Sequence, residues 1–134
     1  MLHRKAISLS TSRATQFIDI TGEVEKALRE SGIKEGIATV YTRHTTTAVF
    51  VNEGESGLLR DYKRLLSLVP EGAGYEHDRI DRNAHAHLRA VLLGGSVAIP
   101  VVNGGLDLGT WQRVFFAELD GPRQRRVVVQ VIGE

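Results

Sequence analysis

The stretch Gln112-Arg113-Val114-Phe115-Phe116-Ala117-Glu118-Leu119 is followed by Asp120-Gly121-Pro122-Arg123 and then by Arg126-Val127-Val128-Val129-Gln130-Val131-Ile132. β-Branched and aromatic residues dominate the first and third runs, as is typical of strands. The Gly-Pro pair between them is a strong turn signal. The sequence therefore predicts two strands and a connecting turn at the C-terminal end of the chain.

Further strands are predicted upstream of this pair. They are Ile7–Leu9, Phe17–Ile20, Gly36–Thr42, Thr47–Val51, Ser96–Val102 and Leu106–Leu108. Pro100 cannot donate a ladder hydrogen bond, so its strand is expected at an edge or at a bulge. Residues 43–46 are either a turn or part of one bent strand. The expected number of strands is therefore about seven.

Apolar residues at helical spacing predict two or three helices. The first, Glu23–Ser31, is expected to start at a Thr21-Gly22 cap and to bury Val24, Ala27 and Leu28. The second is predicted over Glu55–Val69, where Pro70 stops it. The third is expected to begin at an Asp81 or Asn83 cap, to end at Gly94-Gly95 and to bury Leu88, Val91 and Leu92.

The composition is that of an ordinary globular domain. The chain has 134 residues, 42% hydrophobic and 25% charged, with a net charge of +1 and no cysteine. That charge does not favour nucleic acid or an anionic membrane, and disulfides and thiolate catalysis are excluded. No segment is apolar enough for a signal peptide or a membrane span, so a cytoplasmic protein is expected. We predict one α+β domain over residues 1–134, a two-layer sandwich of about seven strands with two or three helices.

Three histidines in separate segments, His44, His77 and His87, are candidate site residues. Imidazole is the commonest protein ligand for transition metals and moves protons readily near neutral pH. His85 and His87 point about 200° apart on a regular helix, so only one of them can reach a common site. We favour His87 because it precedes Leu88, on the side expected to lie nearer the core. Each histidine alone could equally be a solvated or structural residue.

Other polar residues are weaker candidates. Asn52-Glu53 follows a predicted strand, and Asp61 lies on a predicted helix face. The segment Gly109-Thr110-Trp111-Gln112 allows close approach of backbone to a ligand, or it is a hairpin and bulge with a buried Trp111. Arg123, Arg125 and Arg126 are suited to phosphate, although such a run is more often the solvated end of a hairpin.

Taken together, these segments resemble the YjbQ family, also called the secondary thiamine-phosphate synthase family. The resemblance spans the chain in order and spacing. It rests on His44-Thr45-Thr46-Thr47-Ala48, Asn52-Glu53, Asp61, Leu68-Val69-Pro70, Tyr75-Glu76-His77-Asp78, His87-Leu88, Leu92-Leu93-Gly94-Gly95-Ser96, Pro100, Leu108-Gly109-Thr110-Trp111-Gln112 and Asp120-Gly121-Pro122-Arg123.

The resemblance implies a small α+β sandwich that assembles as a homotrimer. It implies a cluster of His44, His77 and His87 that holds a divalent metal or an anion, with Glu53 or Asp61 orienting an imidazole. Three imidazoles suit zinc or another transition metal better than magnesium. The implied activity joins a pyrimidine diphosphate to a thiazole phosphate and releases pyrophosphate. On the residue chemistry, a metal-dependent phosphohydrolase or a non-catalytic binder of a phosphorylated small molecule or a metal stays open. In the ligand site, Asn52, Gly109, Thr110 and Gln112 are the expected contacts.

Overall fold

Eight strands and three helices make up the protein, and the computed structural model describes all 134 residues. The strands are β1 (Leu2–Ser10), β2 (Gln16–Asp19), β3 (Gly36–Thr42), β4 (Thr47–Glu53), β5 (Ser96–Val102), β6 (Gly105–Leu106), β7 (Gln112–Glu118) and β8 (Gln124–Gly133). The helices are α1 (Thr21–Ser31), α2 (Ser56–Leu66) and α3 (Ala84–Leu93), and a single 3₁₀ turn covers Glu76–Arg79. The predicted α+β sandwich is confirmed.

The strands form two antiparallel sheets. The larger has the order β1-β8-β3-β5-β6 and the smaller has the order β2-β7-β4. The predicted C-terminal strand pair is therefore divided between the sheets, because β7 pairs with β2 and β4 whereas β8 pairs with β1 and β3. Arg123 and its turn lead from one sheet to the other and do not close a hairpin. Pro100, in β5, lies opposite Ile37 of β3, and β5 is followed in the sheet by the two-residue edge strand β6.

The main core lies between the two sheets and α1. In β8, Val127, Val129 and Val131 are buried there, and the intervening residues face outward. In β7 both faces are covered, since Val114 and Phe116 join the main core and Ala117 joins a second cluster beneath α2 and α3. Burial on both faces explains why the β7 sequence is almost continuously apolar rather than alternating.

The first two helices start differently from the prediction. Thr21 is already inside α1, and its backbone N–H donates to Asp19 Oδ1 at 3.0 Å. The carboxylate of Glu55 caps α2 by accepting the backbone N–H groups of Gly57 and Leu58. This helix ends at Leu66, three residues earlier than predicted.

The third helix corrects two predictions. Its buried residues are Ala84, Ala86 and Ala90, whereas Leu88, Val91 and Leu92 are exposed. Its first N–H, that of Ala84, is capped by Asp78 at 3.0 Å, and Asn83 makes no capping bond. The Asn83 side chain is thereby free for contacts outside the helix. None of the three helices is both long and apolar enough to cross a membrane.

Candidate functional site

A polar cleft of about 600 Å³ lies where the chain crosses twice between the two sheets. The β3–β4 linker, residues 43–46, forms one wall, and the β7–β8 linker with the start of β8 forms another. The start of α3 closes the third side. The lining contains no hydrophobic residue and consists of Arg43, His44, Thr45, Thr46, Asp81, Asn83, His87, Asp120, Arg123 and Arg125.

The β3–β4 linker is a tight loop that hydrogen bonds hold in place. The Thr42 and Thr47 hydroxyls, at its two ends, lie 2.8 Å apart. The backbone N–H of Leu119 donates to the Thr46 carbonyl at 3.1 Å and ties this loop to the second crossing. The run of threonines next to His44 thus forms and fastens the loop.

A buried ion pair fixes the floor of the cleft. Arg125 is 7% exposed and Glu118 is fully buried. The Nε and Nη2 groups of Arg125 donate to the two Glu118 carboxylate oxygens at 2.8 and 2.6 Å, and Nη2 also donates to Thr46 Oγ1 at 2.9 Å. This bidentate geometry is the strong form of a charge-assisted pair. It leaves Nη1 of Arg125 as the guanidinium nitrogen with no partner in the chain.

The Glu118 carboxylate is held in its charged form. Burial alone would raise its pKa, but hydrogen bonds from Arg125, Thr11 and the Asp120 backbone N–H lower the pKa below its ordinary value. The Thr11 hydroxyl donates to Glu118 Oε1 at 2.7 Å, and the N–H of Asp120 donates to Oε2 at 3.0 Å. The pair is therefore satisfied on the side away from the cleft.

Asn83 links two histidine-bearing segments to the second crossing. Its Nδ2 donates to Asp120 Oδ2 at 2.9 Å, which leaves its Oδ1 to accept from His77 Nε2 at 3.0 Å. Arg123 Nη2 donates to the same Asp120 oxygen at 3.1 Å. The His77 ring stands edge-on to that of His87, with the ring centroids 4.8 Å apart. His44 and His87 line the cleft. His77 does not line it, but it contacts two residues that do, Asn83 and His87.

His44 is held as a neutral ring. The backbone N–H of Arg126 donates to its Nε2 at 3.0 Å, so the proton of the neutral ring resides on Nδ1. Burial, together with repulsion from Arg125, lowers the pKa of His44 below its ordinary value. His44 can therefore act as an N–H donor to an anion without carrying a charge.

The three histidines do not fit a metal ion in this arrangement. No group of three or more His, Asp or Glu side chains is placed so that it could hold one. The Nε2 lone pair of His44 is already used by Arg126, and Nε2 of His77 faces the Asn83 oxygen. Metal binding by His44, His77 and His87 stays a prediction. His85 does not line the cleft, and its Nδ1 is buried without a partner.

The other predicted site residues lie elsewhere. Asn52 and Glu53 are at the far end of β4 from His44, about 20 Å along the strand. Glu53 and Thr110 line a separate cleft beside Trp111, which is 72% exposed rather than buried. Asp61 is on the exposed face of α2. Gln112 Oε1 accepts the Gly109 N–H at 2.8 Å and closes a local turn.

Six of the residues that build the cleft were not singled out as site residues from the sequence: Arg43, Thr45, Thr46, Asp81, Glu118 and Asp120. Glu118 is the most informative of them. A carboxylate inside an otherwise apolar strand is rarely buried unless it is paired, and this alone marks it as a residue with a fixed partner. Arg125, seven residues later, was considered only as part of an arginine run.

Comparison with known proteins agrees with the fold and covers its full length. Residues 5–134 match the sequence model of the family described as UPF0047 protein YjbQ-like. A crystal structure of a YbjQ-like protein of unknown function from Sulfolobus solfataricus P2 superposes with a TM-score of 0.98 at 40% identity, over 100% of this chain and 99% of that chain. A hypothetical protein from Aeropyrum pernix K1 gives a TM-score of 0.95 at 44% identity, over 98% of each chain.

The sequence relatives lead to the same assignment. A UPF0047 protein of Methanothermobacter thermautotrophicus is 54% identical over 134 residues, 99% of this chain and 94% of that protein. One of Archaeoglobus fulgidus is 52% identical over 127 residues, 94% of this chain and 98% of that protein. The fold is thus that of a YjbQ-type α+β sandwich. The chain belongs to the YjbQ-like UPF0047 family.

Proposed function

We propose that the cleft binds the phosphate or diphosphate group of a small molecule. The observation that carries this proposal is Arg125, a nearly buried guanidinium clamped by Glu118 on one side and bordering a wholly polar cleft on the other. A donor that is already oriented loses little freedom when it binds an anion. Neutral His44 and the guanidinium of Arg123 supply further donors around the same space.

The reaction we propose is of the thiamine-phosphate synthase type. A thiazole phosphate attacks the carbon that carries the diphosphate of the pyrimidine partner, a C–N bond forms, and the C–O bond breaks with its electron pair leaving on pyrophosphate. Negative charge grows on the leaving group during this step. Fixed donors aimed at growing charge are a major source of catalysis, and Arg125 and His44 are suited to that role.

Pyrophosphate binding and product formation test this proposal separately. Calorimetric titration of the full chain with inorganic pyrophosphate should show binding, and Arg125→Lys should weaken it about tenfold or more, because a lysine cannot both pair with Glu118 through two N–H groups and present a further donor to the cleft. Arg126→Gln is the matched control, since that side chain does not line the cleft. Absence of pyrophosphate binding to the natural chain would overturn the proposal.

Phosphorus NMR of the chain with both precursors should then show release of pyrophosphate. Binding without turnover would leave a non-catalytic binder of phosphorylated molecules, and turnover of simple phosphate esters instead would favour a phosphohydrolase. Glu118→Gln keeps the side-chain volume but removes the charge that clamps Arg125. We expect it to weaken pyrophosphate binding while the far-ultraviolet circular dichroism of the fold is retained.

A divalent metal bound by the three histidines is a further part of the proposal, and the metal content of the purified protein tests it directly. If His44, His77 and His87 hold a metal after rearrangement of their hydrogen bonds, His87→Ala removes it and His85→Ala does not. A bound metal would supply additional positive charge at the leaving group. Equal metal content in both variants would exclude these ligands.

We also propose a homotrimer. The support is that two separate apolar surfaces are exposed on one copy of the chain: Leu88, Val91 and Leu92 on α3, and Ile37, Tyr41 and Ile132 on the outer face of the larger sheet. Two different surfaces on one subunit allow a head-to-tail interface that closes as a ring. Exposed apolar patches of this kind commonly mark sites of association.

A further inference from the structure

A second cleft, of about 400 Å³, lies between the β1–β2 loop and α2. It shares no residue with the cleft around Arg125. Its charged lining side chains are Arg13, Arg60 and Lys63, and no carboxylate lines it. Clefts lined by charges of one sign concentrate the field and attract counter-ions.

The three cations are not neutralised within the chain. None of them forms an ion pair, whereas Lys5, Arg113, Arg123 and Arg125 each do. The carboxylate of Glu55 feels the charge of Arg60, but its oxygens are engaged by backbone N–H groups at the start of α2. Positive charge is therefore concentrated here without a protein counter-ion.

The loop that presents Arg13 is fixed on both sides. The Ser12 backbone N–H donates to Gln16 Oε1 at 2.9 Å, and the Gly121 N–H donates to the Ala14 carbonyl at 3.1 Å. Gly121 packs so closely on this loop that a Cβ there would lie 2.2 Å from the Arg13 carbonyl oxygen. The cleft is thus bounded by a held backbone rather than by a free loop.

An aromatic ring contributes to the wall of this cleft. Phe17 is half-buried and is held edge-on by Phe50 and Tyr62, with ring centroids 5.9 and 6.0 Å away. Leu59 adds a second apolar side chain. Arg13, Arg60 and Lys63 are exposed, so their side chains can turn towards a ligand that packs on this apolar surface. Apolar and aromatic surface beside a few polar or charged groups is the usual make-up of a small-molecule site.

We propose that this cleft is a second ligand site, for a small molecule in which a phosphate group is joined to an aromatic ring. The phosphate meets Arg13, Arg60 and Lys63, and the ring packs on Phe17. This site does not depend on the function proposed for the Arg125 cleft.

Titration of the full chain with phenyl phosphate, followed by backbone amide NMR, tests the proposal residue by residue. Saturable shift changes are expected at residues 13–17 and 59–63. Inorganic phosphate, which lacks the ring, should bind this site more weakly. Shift changes confined to residues 43–46 and 120–126 would place phenyl phosphate in the other cleft and overturn the proposal.

Charge variants on α2 provide the second readout. The double variant Arg60→Gln with Lys63→Gln should lower the affinity for phenyl phosphate, measured from the shift changes at residues 13–17 and 59–63, about tenfold or more, since two charge-assisted contacts are lost. Arg64→Gln with Lys26→Gln is the matched control, with the same change of net charge and neither side chain lining the cleft. An equal loss in both double variants would show a general charge effect and overturn the proposal.

Discussion

The helices α1 and α3 are of nearly equal length, 11 and 10 residues, yet they pack against the sheets through different kinds of side chain. On α1 the larger apolar side chains, Val24 and Leu28, are buried in the main core. On α3 the buried side chains are alanines, and Leu88, Val91 and Leu92 are 43%, 81% and 60% exposed. The apolar face of α1 is used within the chain, whereas that of α3 is left uncovered.

The alanine face of α3 has a consequence for the cleft. Ala86 and Ala90 pack with Ala48 of β4 and Ala117 of β7 in one small cluster. Small side chains on both surfaces allow the helix to lie close to the sheet, and this places His87 beside the β3–β4 linker. The comparison shows that α1 stabilises the core, whereas α3 positions the site.

Truncation of a large apolar residue should separate the two helices most clearly. Leu28→Ala removes a buried side chain and should lower the free energy of unfolding by about 2–5 kcal/mol. Leu92→Ala, on the exposed face of α3, should lower it by less than about 0.5 kcal/mol in dilute protein. Urea unfolding measures both, and equal losses would contradict the comparison.

Enlargement of the alanine face should be the next largest effect. Ala86→Leu forces extra volume between α3 and the smaller sheet and should lower the free energy of unfolding by about 1–3 kcal/mol. It should also weaken pyrophosphate binding, because His87 moves with the helix. Val91→Phe, an enlargement of comparable size on the exposed face, is the control. If Ala86→Leu leaves both stability and binding intact, α3 does not position the site by close packing.

A charge on the uncovered face should affect assembly more than folding. Val91→Glu is expected to dissociate the proposed trimer while it changes the stability of the isolated chain by no more than about 0.5 kcal/mol. Lys26→Glu, on the exposed face of α1, provides a control for the introduced acid. Sedimentation velocity measures the mass of each. A natural chain that is monomeric at micromolar concentration would refute the trimer.

The pH dependence of His44 is the smallest expected effect. Burial and Arg125 lower the pKa of His44, so the unfolded chain takes up this proton at a higher pH than the folded chain does. The free energy of unfolding should therefore fall as the pH drops below about 6.5, and His44→Gln should reduce that slope. Urea unfolding between pH 5 and 7.5 and NMR titration of the ring measure it. A His44 ring that titrates at or above its ordinary pKa would contradict this prediction.

The strands were largely predictable because alternation and β-branched runs report burial directly. The buried face of α3 was not predictable from the sequence. Its alanines give only a weak hydrophobic pattern, and its larger residues form an apolar stripe whether that stripe packs against the same chain or against another copy. His87 lines the cleft, although the argument that placed it beside a buried Leu88 was wrong.

The composition of the cleft was harder to predict than its histidines. His44 and Thr46 come from one sheet crossing, and Asp120 and Arg125 come from the other. Their proximity follows from β7 and β8 belonging to different sheets, whereas the turn sequence between them is equally compatible with a hairpin. Glu53 lies far from His44 because it stands at the other end of β4, and the two ends of a strand lie at opposite ends of its sheet.

The cleft lies where two of the connections between the sheets come together. An anion that contacts both Arg43 and Arg125 bridges the β3–β4 linker and the start of β8, so it adds a non-covalent link between the sheets at this point. Separation of the sheets would then require release of the ligand. Occupancy should slow amide hydrogen exchange in both sheets at once, including strands that never touch the ligand.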